Sequence, residues 1–171
     1  MRELPFALTV RPARGDDLGA LHALVERCSP DTLYRRFHGA GPTSARRELA
    51  RIAAPHDGHR SVVAVAPSGE VRGTATLAWG RDGTVEAAFL VEDAWFRRGV
   101  GRALYAALAA EARRARVCTV TATVQADNER AVRFLLAVAP GARSRFVGGA
   151  ELAVTIPVPA AAPAARSEEA A

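Results

Sequence analysis

The most unusual feature of this sequence is an absence: among its 171 residues there is no lysine, and all 23 basic residues are arginine. A Walker-type phosphate loop needs a lysine after its last glycine, so that class of nucleotide site is excluded. The arginines give a net charge of +5 and lie in pairs along the whole length, such as Arg35-Arg36 and Arg113-Arg114. Because they form no single stripe with interleaved aromatic residues, nucleic acid is disfavoured as a partner.

Long apolar runs and cysteine clusters are also missing. No run approaches the roughly twenty apolar residues that span a bilayer, and the first residues show no secretory signal pattern. The two cysteines, Cys28 and Cys118, form no CxxC pair, which is typical of a reduced compartment. His56 and His59 have no further ligand nearby, so no metal site is predicted. We therefore expect a cytoplasmic protein that contacts no membrane.

The order of elements predicts one α/β domain over residues 1–157, followed by a disordered Pro/Ala-rich tail over residues 158–171. Periodicity and turn residues give the order β-α-α-β-β-β-α-β-α-β-β, which indicates a mixed sheet covered by helices. The predicted strands cover residues 8–11, 61–66, 71–79, 84–91, 118–124, 143–147 and 151–156. The predicted helices begin at Asp16-Asp17, Ser29-Pro30, Arg98 and Asp127, with a further helical patch over residues 44–53.

The most informative stretch is residues 91–104, where an apolar strand runs into a short turn, two glycines and a long helix. Gly99 and Gly101 let the backbone come close to a ligand, and the free N–H groups of the first helical turn then point at it. Those groups and the helix dipole favour phosphate. Three arginines add positive charge at the same place: Arg97, Arg98 and Arg102. The stretch therefore predicts a pyrophosphate-binding cradle.

Two other glycine-rich phosphate motifs fit this stretch less well. Arg102-Ala103 stand where a Walker loop has lysine and then serine or threonine. A dinucleotide-binding fingerprint needs a third glycine where Leu104 stands, and an acidic residue at the end of the next strand, near Thr123-Val124. A plain structural helix start remains the alternative to a phosphate site.

The same residues resemble the GNAT superfamily of N-acetyltransferases. The family's motif is Gln or Arg, then any two residues, Gly, any one residue, and finally Gly or Ala. This chain matches the glycine part of the motif with Gly99-Val100-Gly101. Arg98 stands at a position that is commonly basic in the family. Phe96 departs from the motif, because the family usually has Gln or Arg there. Residues 124–132 resemble the family's exit from strand five, with Asn128 opening the next helix. The resemblance covers about residues 8–157.

This resemblance implies a GNAT-like mixed sheet of about seven strands with about four helices. Parallel strands four and five would splay apart to form the wedge that holds acetyl-CoA, the acyl donor. The residues it implies for cofactor binding are Phe89, Leu90, Val91, Arg97, Arg98, Gly99, Val100, Gly101, Arg102 and Asn128. The implied activity is acetyl transfer to a primary amine, either a protein lysine or a small molecule, by direct attack in a ternary complex. A homodimer is compatible with this interpretation.

Acetyl transfer to an amine needs a base, since the amine is charged at neutral pH. Glu86 is the carboxylate that strand 84–91 offers, on the face shared with Ala88 and Leu90. Burial would raise the pKa of Glu86, whereas the alternative is an ordinary surface glutamate near a turn. The resemblance favours the base, because several members carry a catalytic glutamate here. Backbone N–H groups near Leu90 or Val91 would stabilise the oxyanion.

Other features of the resemblance bear on the leaving group and on the acceptor. Many members place a tyrosine as general acid seven residues after the helix-opening asparagine, where this chain has Leu135. The thiolate would then leave unprotonated or take its proton from another acid such as water. Asn128 either caps its helix or bonds the pantetheine arm of the cofactor.

Residues 28–39 also resemble a Ser-Pro-Glu-Ser/Thr-Leu-Tyr-x-Arg-Phe segment of bacterial protein-lysine acetyltransferases. The segment itself predicts a capped helix with Leu33 and Phe37 buried at i and i+4. Phe96 and Leu135 keep a second function open, that of a non-catalytic acyl-CoA-binding sensor or partner subunit.

Overall fold

The structure, a computed structural model, describes residues 8–38, 42–54 and 58–158. Its centre is one mixed seven-stranded sheet with the strand order β1-β2-β3-β4-β5-β7-β6. All neighbouring strands are antiparallel except β4 and β5, which are parallel. Strands β1 to β7 span Thr9–Pro12, His59–Val65, Val71–Trp79, Val85–Val91, Thr119–Gln125, Arg143–Gly148 and Glu151–Pro157. This is the mixed α/β sheet that the sequence predicts, with strand bounds that differ by at most two residues.

Five α-helices lie among the described residues, one more than the expected number of about four. The additional helix is the patch that the sequence indicates at 44–53, which forms a full helix from Pro42 to Ala53. Helices α1 to α5 span Leu18–Arg27, Pro30–Phe37, Pro42–Ala53, Val100–Arg114 and Glu129–Val138. Short 3₁₀ turns precede α1 and follow β4, at Gly15–Asp17 and Asp93–Trp95.

The predicted starts of two helices move, and the predicted cap of a third forms no capping bond, for identifiable local reasons. Helix α4 begins at Val100 rather than Arg98, because Gly99 has a φ of 84° and Arg97 a φ of 58°, which no helix tolerates. Helix α5 begins at Glu129, since Asn128 is its N-cap. Asp17 does not cap α1 with its carboxylate, which instead accepts hydrogen bonds from the Arg11 guanidinium and the Arg14 N–H.

Helices cover both faces of the sheet. Leu104 of α4 and Leu135 of α5 pack with strand residues such as Val62 in one core. Leu21 of α1 and Leu49 of α3 pack with the next strand residue, Val63, in a second core. Because successive side chains of a strand point to opposite faces, α4 and α5 lie on one side of the sheet and α1 and α3 on the other.

Arginine supplies the cation of every described ion pair except that of His38 with Glu151. No helix among the described residues is long and apolar enough to cross a membrane. Val158, the first residue of the expected tail, donates a backbone hydrogen bond to the Cys118 carbonyl at 2.8 Å. Residues 159–171 of the expected tail and His56 of the histidine pair lie outside the described residues.

Candidate functional site

A cleft of about 650 Å³ opens between β4 and β5. These two strands pair at a single position, Glu86 with Thr121, near their N-terminal ends. Beyond that position they separate, and the cleft is lined by residues of both strands, such as Leu90 and Val124. The splayed parallel strands of the expected wedge are therefore present.

Most of the residues implied for cofactor binding meet at this cleft. Those that line it are Phe89, Leu90, Val91, Arg97, Gly99, Gly101, Arg102 and Asn128. Val100 does not line it, because its side chain is buried in the core beneath α4 and is only 1% exposed. Only the backbone of Val100 belongs to the helix start. Arg98 does not line it either; its guanidinium carbon lies 5.5 Å from the centre of the Trp95 ring.

The turn before α4 lies at the cleft wall, where the sequence predicts a pyrophosphate-binding cradle. The φ of 84° at Gly99 turns the chain so that α4 begins directly at the cleft wall. A helix of 15 residues starting there presents its unpaired first-turn N–H groups and the positive end of its dipole. Arg97 and Arg102 contribute positive charge on the same wall. The arrangement suits a phosphate or diphosphate group.

Phe96, at the position where the motif usually has Gln or Arg, faces the cleft with an arginine against its ring. The Arg130 guanidinium carbon lies 3.9 Å from the centre of that ring. Both residues line the cleft, Phe96 from the turn before α4 and Arg130 from the first turn of α5. A cation from α5 therefore lies against the turn before α4, and the linear motif does not reveal it.

Gly101 is constrained by a neighbouring ring rather than by its own conformation. A Cβ at this position would lie 3.0 Å from a ring carbon of Phe134 on α5. The Phe134 ring also meets the ring of Phe89 edge to face, with centroids 5.7 Å apart. Because both rings line the cleft, they form its apolar wall next to the cradle.

Asn128 performs the capping role that the sequence allowed. Its side-chain oxygen accepts a hydrogen bond from the Ala131 N–H at 3.2 Å, which fixes the start of α5. The residue also lines the cleft, so capping and ligand contact are compatible. Asp127 instead accepts a hydrogen bond from Arg35 at 3.0 Å.

Glu86 lines the opposite half of the cleft, beside two charged residues. It is exposed to the cleft, so the burial on which its expected activation depended is absent. Glu48 of α3 and Arg36 of α2 line the same half, with Arg36 Nη2 3.4 Å from Glu48 Oε1. Burial lowers the pKa of Arg36 from its ordinary value, while the carboxylates of Glu48 and Glu86 oppose that change.

Helix α2 covers this half of the cleft and is fixed at its N-terminal end. Ser29 accepts the capping bond from the Thr32 N–H at 3.2 Å, as its Ser-Pro sequence predicts. Asp93, after β4, accepts bonds from the Ser29 N–H, the Ser29 hydroxyl and the Thr32 hydroxyl at 2.7–2.8 Å. Of the predicted buried pair, Leu33 packs against the core, whereas Phe37 lines the cleft.

A profile of the Acetyltransferase (GNAT) family matches residues 21–145, which include the cradle, β4, β5 and α2. The chain belongs to the GNAT family.

Solved GNAT structures share this fold. The GNAT domain of S. lividans PAT has a TM-score of 0.77 and 26% identity, covering 86% of this chain and 89% of that chain. A cAMP-binding acyltransferase from Mycobacterium smegmatis has a TM-score of 0.59 and 28% identity, covering 89% of this chain but 44% of that chain. A phosphinothricin acetyltransferase from Sinorhizobium meliloti, in complex with AcCoA, has a TM-score of 0.70, 18% identity and 88% coverage of both chains. No curated protein matches the chain significantly.

No tyrosine is among the described residues that line the cleft. Leu135, at the family's tyrosine position, lines the cleft and is 3% exposed. The two tyrosines lie elsewhere: Tyr34 is on the exposed side of α2, and Tyr105 lies in α4, where burial raises its pKa. The absence of a phenolic acid here agrees with the sequence.

Packing between elements that are distant along the chain brings further residues to the cleft that the sequence did not predict, and four of these belong to the pairs and rings described above. They are Arg36, Glu48, Arg130 and Phe134. Arg36 follows Thr32 by one helical turn, so the capped helix offered a clue to its direction. The other three carry no local signal, because each depends on where a helix lies against the splayed strands.

Proposed function

We propose that this GNAT protein is an acetyl-CoA-dependent N-acetyltransferase that acts on a primary amine by direct attack within a ternary complex. The observation that carries the proposal is that one cleft contains both the helix-start cradle and, in its other half, the Glu86 carboxylate. A phosphate-binding end and a carboxylate-lined end are what a charged donor and an amine acceptor require.

The residues of the cleft fit acetyl-CoA, which supplies the thioester that the amine attacks. The cradle at Gly99 and the guanidinium groups of Arg97 and Arg102 would hold its diphosphate. The apolar wall of Phe89 and Phe134 would lie along its pantetheine arm. The related protein from Sinorhizobium meliloti, solved in complex with AcCoA, supports this donor.

Glu86 would remove the proton that keeps the acceptor amine charged. Its exposure to the cleft supports transfer through a bound water molecule. Backbone N–H groups at Leu90 or Val91, where β4 has left β5, would donate to the oxyanion. Since Leu135 replaces a phenol, the departing thiolate would take its proton from water.

The acceptor would enter beneath α2, in the half lined by Glu48 and Glu86. Glu48 and Glu86 bring two carboxylates to this half, beside the guanidinium groups of α2, and a carboxylate attracts a cationic amine. Helix α2 carries the segment that resembles protein-lysine acetyltransferases, so a lysine side chain is the acceptor that this helix supports. A small primary amine satisfies the same chemistry.

The decisive experiment is an acceptor screen with labelled acetyl-CoA against both lysate proteins and a panel of small amines. The wild-type protein should release free thiol and transfer label to one of the two classes. Glu86→Gln should bind CoA normally and lose roughly 10²–10⁴-fold in turnover, the usual contribution of a general base. The loss should shrink at high pH, where more of the amine is already neutral.

Glu48→Gln is the matched comparison, because it removes the other carboxylate of the same half. If Glu48→Gln loses turnover and Glu86→Gln does not, the base is Glu48. If the wild-type protein binds CoA but acetylates nothing in either class, the acyl-CoA-binding sensor or partner subunit becomes the better account.

A further inference from the structure

Phe96 and Arg130 form a stacked pair at the cradle end of the cleft. The guanidinium carbon lies 3.9 Å from the ring centre, the shortest of the described cation–π distances. Phe96 precedes the N-cap Gly99 by three residues, so its ring lies in the turn that aims α4 at the cleft. Arg130 reaches that turn from α5.

The guanidinium of Arg130 pairs with no carboxylate of residues 8–38, 42–54 or 58–158. Within the part of the chain that the structure describes, no ion pair involves Arg130, whereas Arg35 and Arg36 of the same cleft are paired with carboxylates. A cation–π contact uses no N–H group as a hydrogen-bond donor, so the N–H groups of this guanidinium stay available to a ligand. An exposed, ring-fixed cation at the cleft wall is suited to an anionic ligand.

We propose that Arg130, held against Phe96, binds the diphosphate of the acyl-CoA donor from α5, across from the cradle on α4. The inference rests on the proposed function, because it assigns a residue to that same cofactor site. It gives Phe96 a role: the ring does not donate to phosphate itself but orients a guanidinium that does. The diphosphate, and not the 3′-phosphate, is the target because the pair lies beside the backbone cradle.

The test compares the affinity of three ligands by calorimetry for the wild-type protein and for Arg130→Gln. CoA carries both phosphate groups, dephospho-CoA lacks only the 3′-phosphate, and pantetheine lacks both. Arg130→Gln should lose about tenfold in affinity for CoA and for dephospho-CoA alike, the usual effect of one charge-assisted hydrogen bond. Its affinity for pantetheine should not change.

Arg133→Gln is the matched control on the same helix. Arg133 is 76% exposed, pairs with Glu129 at 3.6 Å and does not line the cleft. It removes the same charge from α5 and should leave all three affinities unchanged. If Arg133→Gln and Arg130→Gln lose the same affinity for CoA, the effect comes from the change in net charge, and the assignment is overturned.

The role of the ring is tested by Phe96→Leu and by a rescue. Phe96→Leu should weaken CoA binding while Arg130 is still present, because the guanidinium loses its support. Phe96→Arg should restore CoA affinity in the Arg130→Gln background, since it returns the cation to the turn. Failure of both variants to change affinity would remove Phe96 from the site.

Three outcomes contradict the inference in different ways. Unchanged CoA affinity in Arg130→Gln, with normal wild-type binding, overturns it and leaves the proposed function intact. A loss for CoA but not for dephospho-CoA would place Arg130 on the 3′-phosphate. A wild-type protein that binds none of the three ligands overturns the proposed function and this inference with it.

Discussion

At the scale of single residues, the two glycines of the cradle are needed for different reasons. Gly99 adopts a φ of 84°, a conformation that other residues reach only with strain. Gly101 is helical, and what restricts it is the Phe134 ring, 3.0 Å from where its Cβ would be. The sequence motif predicts that both positions need a small residue. It explains the glycine at position 101 only by the close approach of a ligand, not by the Phe134 ring.

Gly101→Ala should therefore weaken CoA binding through Phe134. Alanine gains about 1 kcal/mol of helix propensity, whereas overpacking typically costs about 1–3 kcal/mol. We expect a net destabilisation of about 1 kcal/mol in urea unfolding and a several-fold loss of CoA affinity, because the ring is displaced into the cleft. The double variant Gly101→Ala/Phe134→Leu should recover affinity. Normal CoA binding by Gly101→Ala alone would show that the ring accommodates a methyl group.

The two cysteines should differ sharply in reactivity. Burial, and then the nearby charges of Asp93 and Glu92, raise the pKa of Cys28 to about 12. Cys118 is exposed. Because the thiolate is the reactive form, a disulfide reagent at pH 8 should modify one thiol rapidly in the native protein and two after unfolding. Cys118→Ser should abolish the rapid phase; rapid modification of both thiols in the folded protein would contradict the burial of Cys28.

Residue-level roles were predictable from sequence where they depend on neighbours in the chain. Asn128 caps α5 and Ser29 caps α2 because capping needs only the next three residues. Arg130 was not predictable, since its partner Phe96 lies on a different element. The position of Glu86 at the cleft was predictable from strand alternation, but its exposure was not, because that depends on how far β4 and β5 separate.

At the scale of elements, α2 bridges the two sides of the wedge. Asp93 holds its start on the β4 side, through Ser29 and Thr32. Its other end is tied to the β5 and β7 side, where Arg35 pairs with Asp127 and His38 with Glu151. The acceptor half of the cleft is therefore shaped by contacts between residues that are 61 to 113 positions apart.

Replacing Asp93 by asparagine should destabilise the protein in a pH-dependent way. Burial acts to raise the pKa of Asp93, but hydrogen bonds from Ser29 and Thr32 outweigh it, and the pKa lies below its ordinary value of 3.8. A lowered folded-state pKa contributes stability above the unfolded pKa, and that contribution is lost as the pH falls through the folded value. Asp93→Asn should cost about 1–3 kcal/mol at pH 7, with a smaller difference from wild type near pH 3.

Urea unfolding at several pH values measures this difference. Asp82→Asn is the control. The pKa of Asp82 is also lowered, because Thr84 donates hydrogen bonds to its carboxylate, but Asp82 lies in an exposed turn away from α2. A cost for Asp93→Asn that is the same at both pH values would show that lost packing, not the charge, is responsible.

Element types were predictable from sequence more reliably than element starts. The 71–79 strand matches β3 residue for residue, because Gly and Pro turns bound it on both sides. The start of α4 was misplaced by two residues, since a left-handed arginine at position 97 has no local marker. The parallel pairing of β4 and β5 followed only from the family resemblance. The full strand order was not predicted, because β5 and β7 pair over an intervening helix and strand.

At the scale of the whole molecule, the protein is basic, and the proposed ligand of its cleft, CoA, carries several negative charges. The net charge of +5 adds long-range attraction to the local cations of the cradle. We expect CoA to stabilise the protein by about 2.7 kcal/mol at a hundredfold excess over its Kd, seen as a raised Tm. NAD and ATP should stabilise it much less, since neither has a pantetheine arm for the wall of Phe89 and Phe134. Greater stabilisation by NAD than by CoA would contradict the site.

The absence of lysine, with arginine as the basic residue throughout, has a consequence for the chemistry proposed in the cleft. An acetyl group passes to an amine that has lost its proton, and a guanidinium keeps its proton at any physiological pH. No side chain in these 171 residues offers a primary amine, so none can become an N-acetylated product of the proposed reaction. The folded surface keeps its charge while the donor is consumed. In a lysine-acetylation assay, every acetyl-lysine would therefore belong to the target protein and none to the enzyme.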